Sequence, residues 1–183
     1  MDYILETPLT EDVVRKLRAG DNVLINGIIY AARDAAHKNL DELQKQGKEL
    51  PFDIRGQVIY YVGPCPAKPG DVIGSAGPTT SCRMDLYTPA LIEKGLAGMI
   101  GKGMRSNEVV EAMIKYCAVY FAAIGGAGAL IAKHIIRQEI IVFPELGPEA
   151  LRKMEVENFP AIVAIDSYGN NLYEIGKRKY RKI

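Results

Sequence analysis

Cysteine is scarce in this chain. Cys65, Cys82 and Cys117 are its whole supply, an odd number with no CxxC pair among them. That excludes a disulfide framework and a self-contained zinc site of ordinary spacing. The wide, unpatterned separation of the three gives no iron–sulfur ligand set either. No run approaches the ~20 apolar residues needed to cross a bilayer. Excess charge is also missing: 23 Lys and Arg stand against 22 Asp and Glu, so nothing electrostatic points to nucleic acid. The opening MDYILETPLTED has no basic start followed by an apolar stretch, unlike a secretion signal, and the cytoplasm is the expected compartment. Repeats, low-complexity tracts and interdomain linkers are absent too.

What the chain does contain is ordinary globular material. At 183 residues, 48% hydrophobic and 25% charged, it is expected to form one packed domain over residues 1–183. Strand-like and helix-like segments alternate. LTEDVVRKLRAGD reads as a short helix led by Thr10 or Glu11 and closed at Gly20; NVLINGIIYAA reads as a strand; ARDAAHKNLDELQKQGKEL reads as a helix stopped at Gly47. RGQVIYYVGP is a second strand, Asp71–Gly74 a possible short one, and SCRMDLYTPALIEKG a helix that starts or kinks near Pro89. GMIGKG follows as a short buried strand. SNEVVEAMIKYC is the clearest amphipathic helix, with Ser106 as N-cap and Val109, Met113 and Ile114 on one face. AVYFAAI reads as a strand, ALIAKHI as a helix after the turn GGAG, EIIVFPEL as a strand and GPEALRKM as a short helix. FPAIVAIDSYGNNLYEI is expected to form a hairpin turning at residues 167–170. Such alternation points to an α/β or mixed layer structure, with chemistry on the loops after the strands.

Three stretches carry candidate chemistry. GPTTSCRMD, residues 77–85, places Thr79, Thr80, Ser81 and Arg83 at a strand-to-helix corner. The exposed N–H groups of a helix start, joined by a guanidinium, suit a carboxylate or phosphate; the plain alternative is that Thr80 or Ser81 caps the helix while Arg83 reaches solvent. YAARDAAHKN, residues 30–39, sets Arg33 and Asp34 at a strand end with His37 one turn on. That is an acid-binding set, or a surface cluster in which Asp34 caps the helix. GMIGKGMRS, residues 98–106, fails as a P-loop because Leu96 stands where the first glycine belongs and Gly103-Met104, not a hydroxyl, follows Lys102. Lys102 between two glycines remains a candidate fixed cation. GGAGALIAK lacks the full GxGxxG spacing, and its small residues suit close packing of helix on strand. Cys82 beside Arg83 is a candidate low-pKa thiol without a neighbouring histidine; Cys117 reads as core and Cys65 as a small residue in a tight loop.

Together, VGPCPAKPGDVIGSAGPTTSCRMDLYTP, ARDAAHK and GMIGKGMRS closely resemble the β subunit of class I iron–sulfur-dependent fumarases, which is the C-terminal domain in fused forms. The L-tartrate dehydratase β subunit is a near relative. The resemblance runs from about residue 5 to about residue 175, and FPAIVAIDSYGNNLYE fits it. It implies an α/β fold of the swivelling β/β/α type, a mixed sheet with flanking helices. It also implies a hetero-oligomer, a dimer of αβ units being one form, in which an α subunit holds a [4Fe–4S] cluster and this chain holds no metal. The substrate is then a small dicarboxylate, malate or fumarate, bound between the two parts. Residue by residue, the resemblance makes Thr79 the general base and Arg33, Arg83 and Lys102 the cationic substrate contacts. The family pattern carries glycine where this chain has Cys82; a side chain there is expected to narrow the pocket, or to force a different turn if φ must be positive. Two other readings stay open: an L-tartrate dehydratase β subunit, and a non-catalytic dicarboxylate-binding module.

Overall fold

A computed structural model describes residues 2–182. Its strands are β1 (Asp2–Glu6), β2 (Asn22–Ala31), β3 (Val58–Tyr60), β4 (Gly98–Gly101), β5 (Val119–Ala122), β6 (Ile135–Val142) and β7 (Leu151–Ile165). The α-helices are α1 (Glu11–Val14), α2 (Asp34–Lys45), α3 (Thr88–Glu93), α4 (Asn107–Tyr116), α5 (Gly128–Ala132) and α6 (Leu172–Tyr180), with 3₁₀ turns at Ser81–Met84 and Pro144–Glu149.

The sheet is mixed. β1 through β5 run parallel, each paired to the next. β7 runs antiparallel to both β2 and β5, and also carries β6. Its pairing therefore joins the two ends of the β2-β3-β4-β5 run into a closed ring of five strands. One edge of β2 lies wholly against β7; the other is shared by β1 at residues 22–26 and β3 at residues 30–31. This is the mixed α/β arrangement with flanking helices that the resemblance implied.

Alternation along the strands divides the core in two. Val58 and Tyr60 pack with Ile25, Ile29, Ile100, Val119, Phe121, Phe159 and Val163. Ile59 faces the other way, with Tyr30, Met99 and Tyr120, and there Leu40 of α2, Leu91 of α3, and Val109 and Met113 of α4 cover the sheet. The helices arise where the sequence signals them. Thr10 accepts from Val13 N at α1, Ser106 from Val109 N at α4, and Pro89 sits in the first turn of α3. Cys117 is buried and closes α4 in the left-handed conformation, φ 57°.

Four expectations are corrected. Residues 71–74 form no strand. GPEALRKM is not a helix: Gly147, at φ 57°, breaks the 3₁₀ turn, and Leu151–Met154 belongs to β7, where ladders with β2 and β6 outweigh local propensity. The turn at 167–170 is present, closed by one antiparallel bridge from Ile165 to Asn171, but a helix and not a second strand follows it. The buried Asp166 carboxylate there accepts from the N–H groups of Ala19, Tyr168 and Asn170, after which Asn171 caps α6. Finally, Ile114 is half exposed; Val109, Ala112 and Met113 make the buried face of α4.

Two buried ionisable groups hold elements together. Arg105 donates from Nε to Asp85 at 2.7 Å and from Nη2 to Thr88 at 2.9 Å, and its guanidinium lies over the rings of Tyr61 and Tyr120. Burial by itself lowers its pKa, but Tyr61 and Asp85 reverse that and the net direction is upward. The ring of His37 on α2 is fully buried, edge-on to Tyr61, with Nδ1 2.9 Å from the Arg33 carbonyl oxygen. Burial pulls its pKa down to about 4, against the raising effect of that carbonyl.

Both groups generate predictions. Arg105→Met leaves the Asp85 carboxylate without its buried partner, and urea unfolding is expected to show a loss of about 3–5 kcal/mol. His37 binds a proton more readily unfolded, near 6.5, than folded, near 4. Its contribution is thus complete above pH 6.5 and is lost as pH falls towards 4, by at most about 3 kcal/mol. Urea titrations at pH 6.5 and 4.5 are expected to show a steeper loss in the natural protein than in His37→Phe.

Candidate active site

Four parallel strands end on one edge, and the sequence after each end supplies the site. β2 ends at Ala31 and leads to Arg33; β3 ends at Tyr60 and leads to Gly63; β4 ends at Gly101 and leads to Lys102; β5 ends at Ala122 and leads to Gly125. Register keeps these ends level, with Ala31 beside Tyr60, Tyr60 beside Ile100, and Gly101 beside Ala122. Loops beyond the carboxyl ends of parallel strands are where such sheets bind ligands.

The GPTT segment is laid across this edge by backbone pairing. Pro78 bridges Val62, and Thr79 N donates to Tyr61 O at 2.8 Å. Lys102 N donates to Thr79 O at 3.3 Å, and Ser81 N to Lys102 O at 2.9 Å. Residues 79–81 and Lys102 therefore run side by side, which brings Thr79 and Lys102 together. Ser81 does not cap. Its hydroxyl donates to Tyr120 Oη at 2.9 Å, since the Tyr120 proton goes to Gly103 O. The Ser81 side chain occupies the space where a Cβ of Gly101 would stand. Thr80 holds the N-cap position of the 3₁₀ turn without a side-chain bond. The capping reading of the hydroxyl cluster is thus overturned: the turn is held by its flanks. On the loop's other side, a Cβ at Gly128 would lie 2.7 Å from Gly77 N, so the small residues of GGAG permit α5 to pack closely there.

Arg33 and Arg83 meet through one carboxylate. Asp34 Oδ1 lies 2.8 Å from Arg83 Nε in an ion pair, and Asp34 Oδ2 lies 3.5 Å from Arg33 Nη2. Glu149 Oε1 stands 3.4 Å from the same Nη2, while Glu149 Oε2 accepts from Ala35 N. The arginine side chain lies flat on Gly63, where a Cβ would come within 2.7 Å of Nη1. Along the ends of β2 to β4, Arg33 and Arg83 thus share Asp34, and Thr79 is joined to Lys102 by a backbone bond. Asp34 does not cap α2, because Arg33 takes that position and forms no side-chain cap bond.

The edge is open. Arg83 is 51% exposed, Lys102 is exposed and Thr79 is half-buried. A separate groove of about 660 Å³ is lined by apolar side chains including Tyr3, Ile4, Leu24, Ile124 and Leu130, and contains none of the four candidates. Cys82 is exposed and keeps a negative φ within its turn, so the thiol there forces no unusual backbone. Among the described residues no group of three His, Cys, Asp or Glu side chains is placed to hold a metal ion. With Cys65 and Cys82 exposed and Cys117 buried at the end of α4, the chain does not fit a cluster of its own. No described helix is long and apolar enough to cross a membrane. Sequence reading missed Asp34 as a link, Glu149 and Arg105. Asp34 carried a visible signal in its adjacency to Arg33; the other two are brought in by tertiary packing alone.

The chain is 43% identical to the "Putative L(+)-tartrate dehydratase subunit beta" of Methanocaldococcus jannaschii, over all of this chain and 97% of that one. It is 43% identical to the anaerobic class I fumarate hydratase of Escherichia coli K12, over 82% of this chain and 28% of that protein. Fumarate hydratase 2 of Leishmania major is 41% identical over 84% of the chain, which spans 28% of that protein's length. A family profile described as the fumarase C-terminus matches residues 2–176. With 175 of its residues so matched, the chain belongs to the fumarase C-terminus family.

Proposed function

We propose that this chain acts as one unit, the β part of a class I fumarate hydratase, interconverting fumarate and L-malate with an α subunit that carries a [4Fe–4S] cluster. The observation that carries the reading is the convergence of Thr79, Arg33, Arg83 and Lys102 on the carboxyl ends of β2 to β4, in a chain 43% identical to a fumarate hydratase over most of its length. Such an edge has cations for two carboxylates and a hydroxyl on the same edge, and it is too open to exclude water by itself. A second polypeptide over this face supplies the missing wall, and the cluster is assigned to that partner. The free thiols of Cys65 and Cys82 suit a reducing compartment, the cytoplasm.

The chemistry assigned to this chain is proton removal and charge stabilisation. The C3 proton of malate is weakly acidic because the neighbouring carboxylate is already negative and accepts little more charge. Arg33, Arg83 or Lys102 beside that carboxylate stabilises the charge that develops, and loss of one such contact typically costs about 10²–10³ in rate. Thr79 takes the proton. An alkyl hydroxyl is a poor base in water, far from the matched pKa of an efficient one. Adjacent cations and a closed, dry cleft favour its alkoxide.

One observation favours a second substrate. The M. jannaschii relative, matched over the full chain, bears a tartrate dehydratase name, and the present edge would serve a dicarboxylate with one more hydroxyl equally well. Turnover of malate against tartrate by the assembled complex decides between them.

Thr79→Ala is expected to lower kcat of the reconstituted complex by about 10²-fold or more while the two chains still assemble. Near-normal kcat removes Thr79 from the base role. This chain purified alone is expected to bind no stoichiometric iron and to leave fumarate absorbance unchanged; hydration of fumarate by the isolated chain overturns the shared-site reading.

A further inference from the structure

Among the described residues, Asp34 is the one carboxylate that touches both guanidiniums of the site. Its two oxygens are divided, Oδ1 on Arg83 Nε at 2.8 Å and Oδ2 3.5 Å from Arg33 Nη2. It is held by its place as the first residue of α2, where the chain is fixed just upstream: the Arg33 carbonyl accepts from His37 N at 2.8 Å and lies 2.9 Å from His37 Nδ1. Arg83 by contrast sits on a four-residue 3₁₀ turn and is half exposed, so its long side chain has many alternatives in solvent. The shortest restraint on it is the Asp34 contact.

A guanidinium offers a planar set of five N–H donors, and a carboxylate can engage it from the Nε side or across the two terminal nitrogens. Asp34 occupies Nε. We propose that Asp34 is a positioning residue that turns Arg83 so that its Nη1–Nη2 edge faces the substrate, and that it couples this orientation to Arg33. The inference rests on the substrate-binding reading of Arg83 given above. It makes Asp34 part of substrate specificity, since spacing of the two cations selects for the separation of two carboxylates, although Asp34 itself contacts neither.

The test is steady-state kinetics with malate on the reconstituted complex. Asp34→Ala is expected to raise KM about tenfold with kcat little changed, and Asp34→Asn, whose amide oxygen keeps a polar atom on the Nε side, to recover most of that loss. The double variant Asp34→Ala/Arg83→Ala is expected to match Arg83→Ala alone, because Asp34 acts through Arg83. Arg83→Lys gives a second route that leaves Asp34 in place: an ammonium has no Nε–H to orient, so KM rises, and adding Asp34→Asn changes nothing more. If Arg83→Ala raises KM while Asp34→Ala does not, or if the two effects multiply, the positioning role is wrong and the site reading stands. If Arg83→Ala leaves KM unchanged, both fall.

Discussion

The interaction on which the rest of the site depends is a buried guanidinium. Arg105 reaches back from the start of α4 to Asp85, immediately after the 3₁₀ turn that bears Arg83, and to Thr88 at the start of α3. Asp85 returns the contact by accepting from Ser106 N at 2.6 Å. Those bonds clamp the Arg83 turn, α3 and α4 to one another, and the Tyr61 and Tyr120 rings beneath tie them to the sheet. A charge taken out of water is tolerated only where its donors are matched. Here the matching partners are the residues that set the position of the GPTTSCRMD corner.

Above this support the functional edge is built mainly from backbone. Thr79 is located by main-chain bonds to Tyr61 and Lys102 rather than by its own side chain. That division suits a proposed base, because the hydroxyl is left out of the scaffold. The cations are treated differently. Arg33 is pinned between Gly63, Asp34 and Glu149, whereas Lys102 and Arg83 project outward. The edge is therefore stiff at its β2 end and adaptable towards solvent.

Much of this was legible in the chain. The helix starts at Thr10, Ser106 and Pro89 came from local capping chemistry, which acts within a few residues and leaves a signature there. The strands β2 to β5 carry dense β-branched and aromatic runs. Two of the errors lie after residue 140, where a long strand pairs with distant partners: LRKM has helical composition, yet β2 and β6 hold it extended. The corner at Asp166 looked like a hairpin because Ser-Tyr-Gly-Asn is turn chemistry in either case, and only the carboxylate's bonds decide which. Arg33, Thr79, Arg83 and Lys102 stood out through the long motifs of the family resemblance. Their order along one edge follows from parallel register, which no local pattern encodes. Arg105 was hidden because a charged residue before a helix reads as surface until the fold is known.

The ring of strands is closed by β7, the last strand to be made. A ribosome releases β1 through β5, already able to pair, long before residues 151–165 emerge to join β2 to β5. During that interval the nascent sheet carries open edges on both flanks, the sort of surface that pairs indiscriminately with other chains. The functional edge is complete in sequence by Gly125, yet the barrel beneath it is not. Pairing of residues 151–165 thus covers the free edges of β2 and β5, while adding none of the four residues assigned to the chemistry.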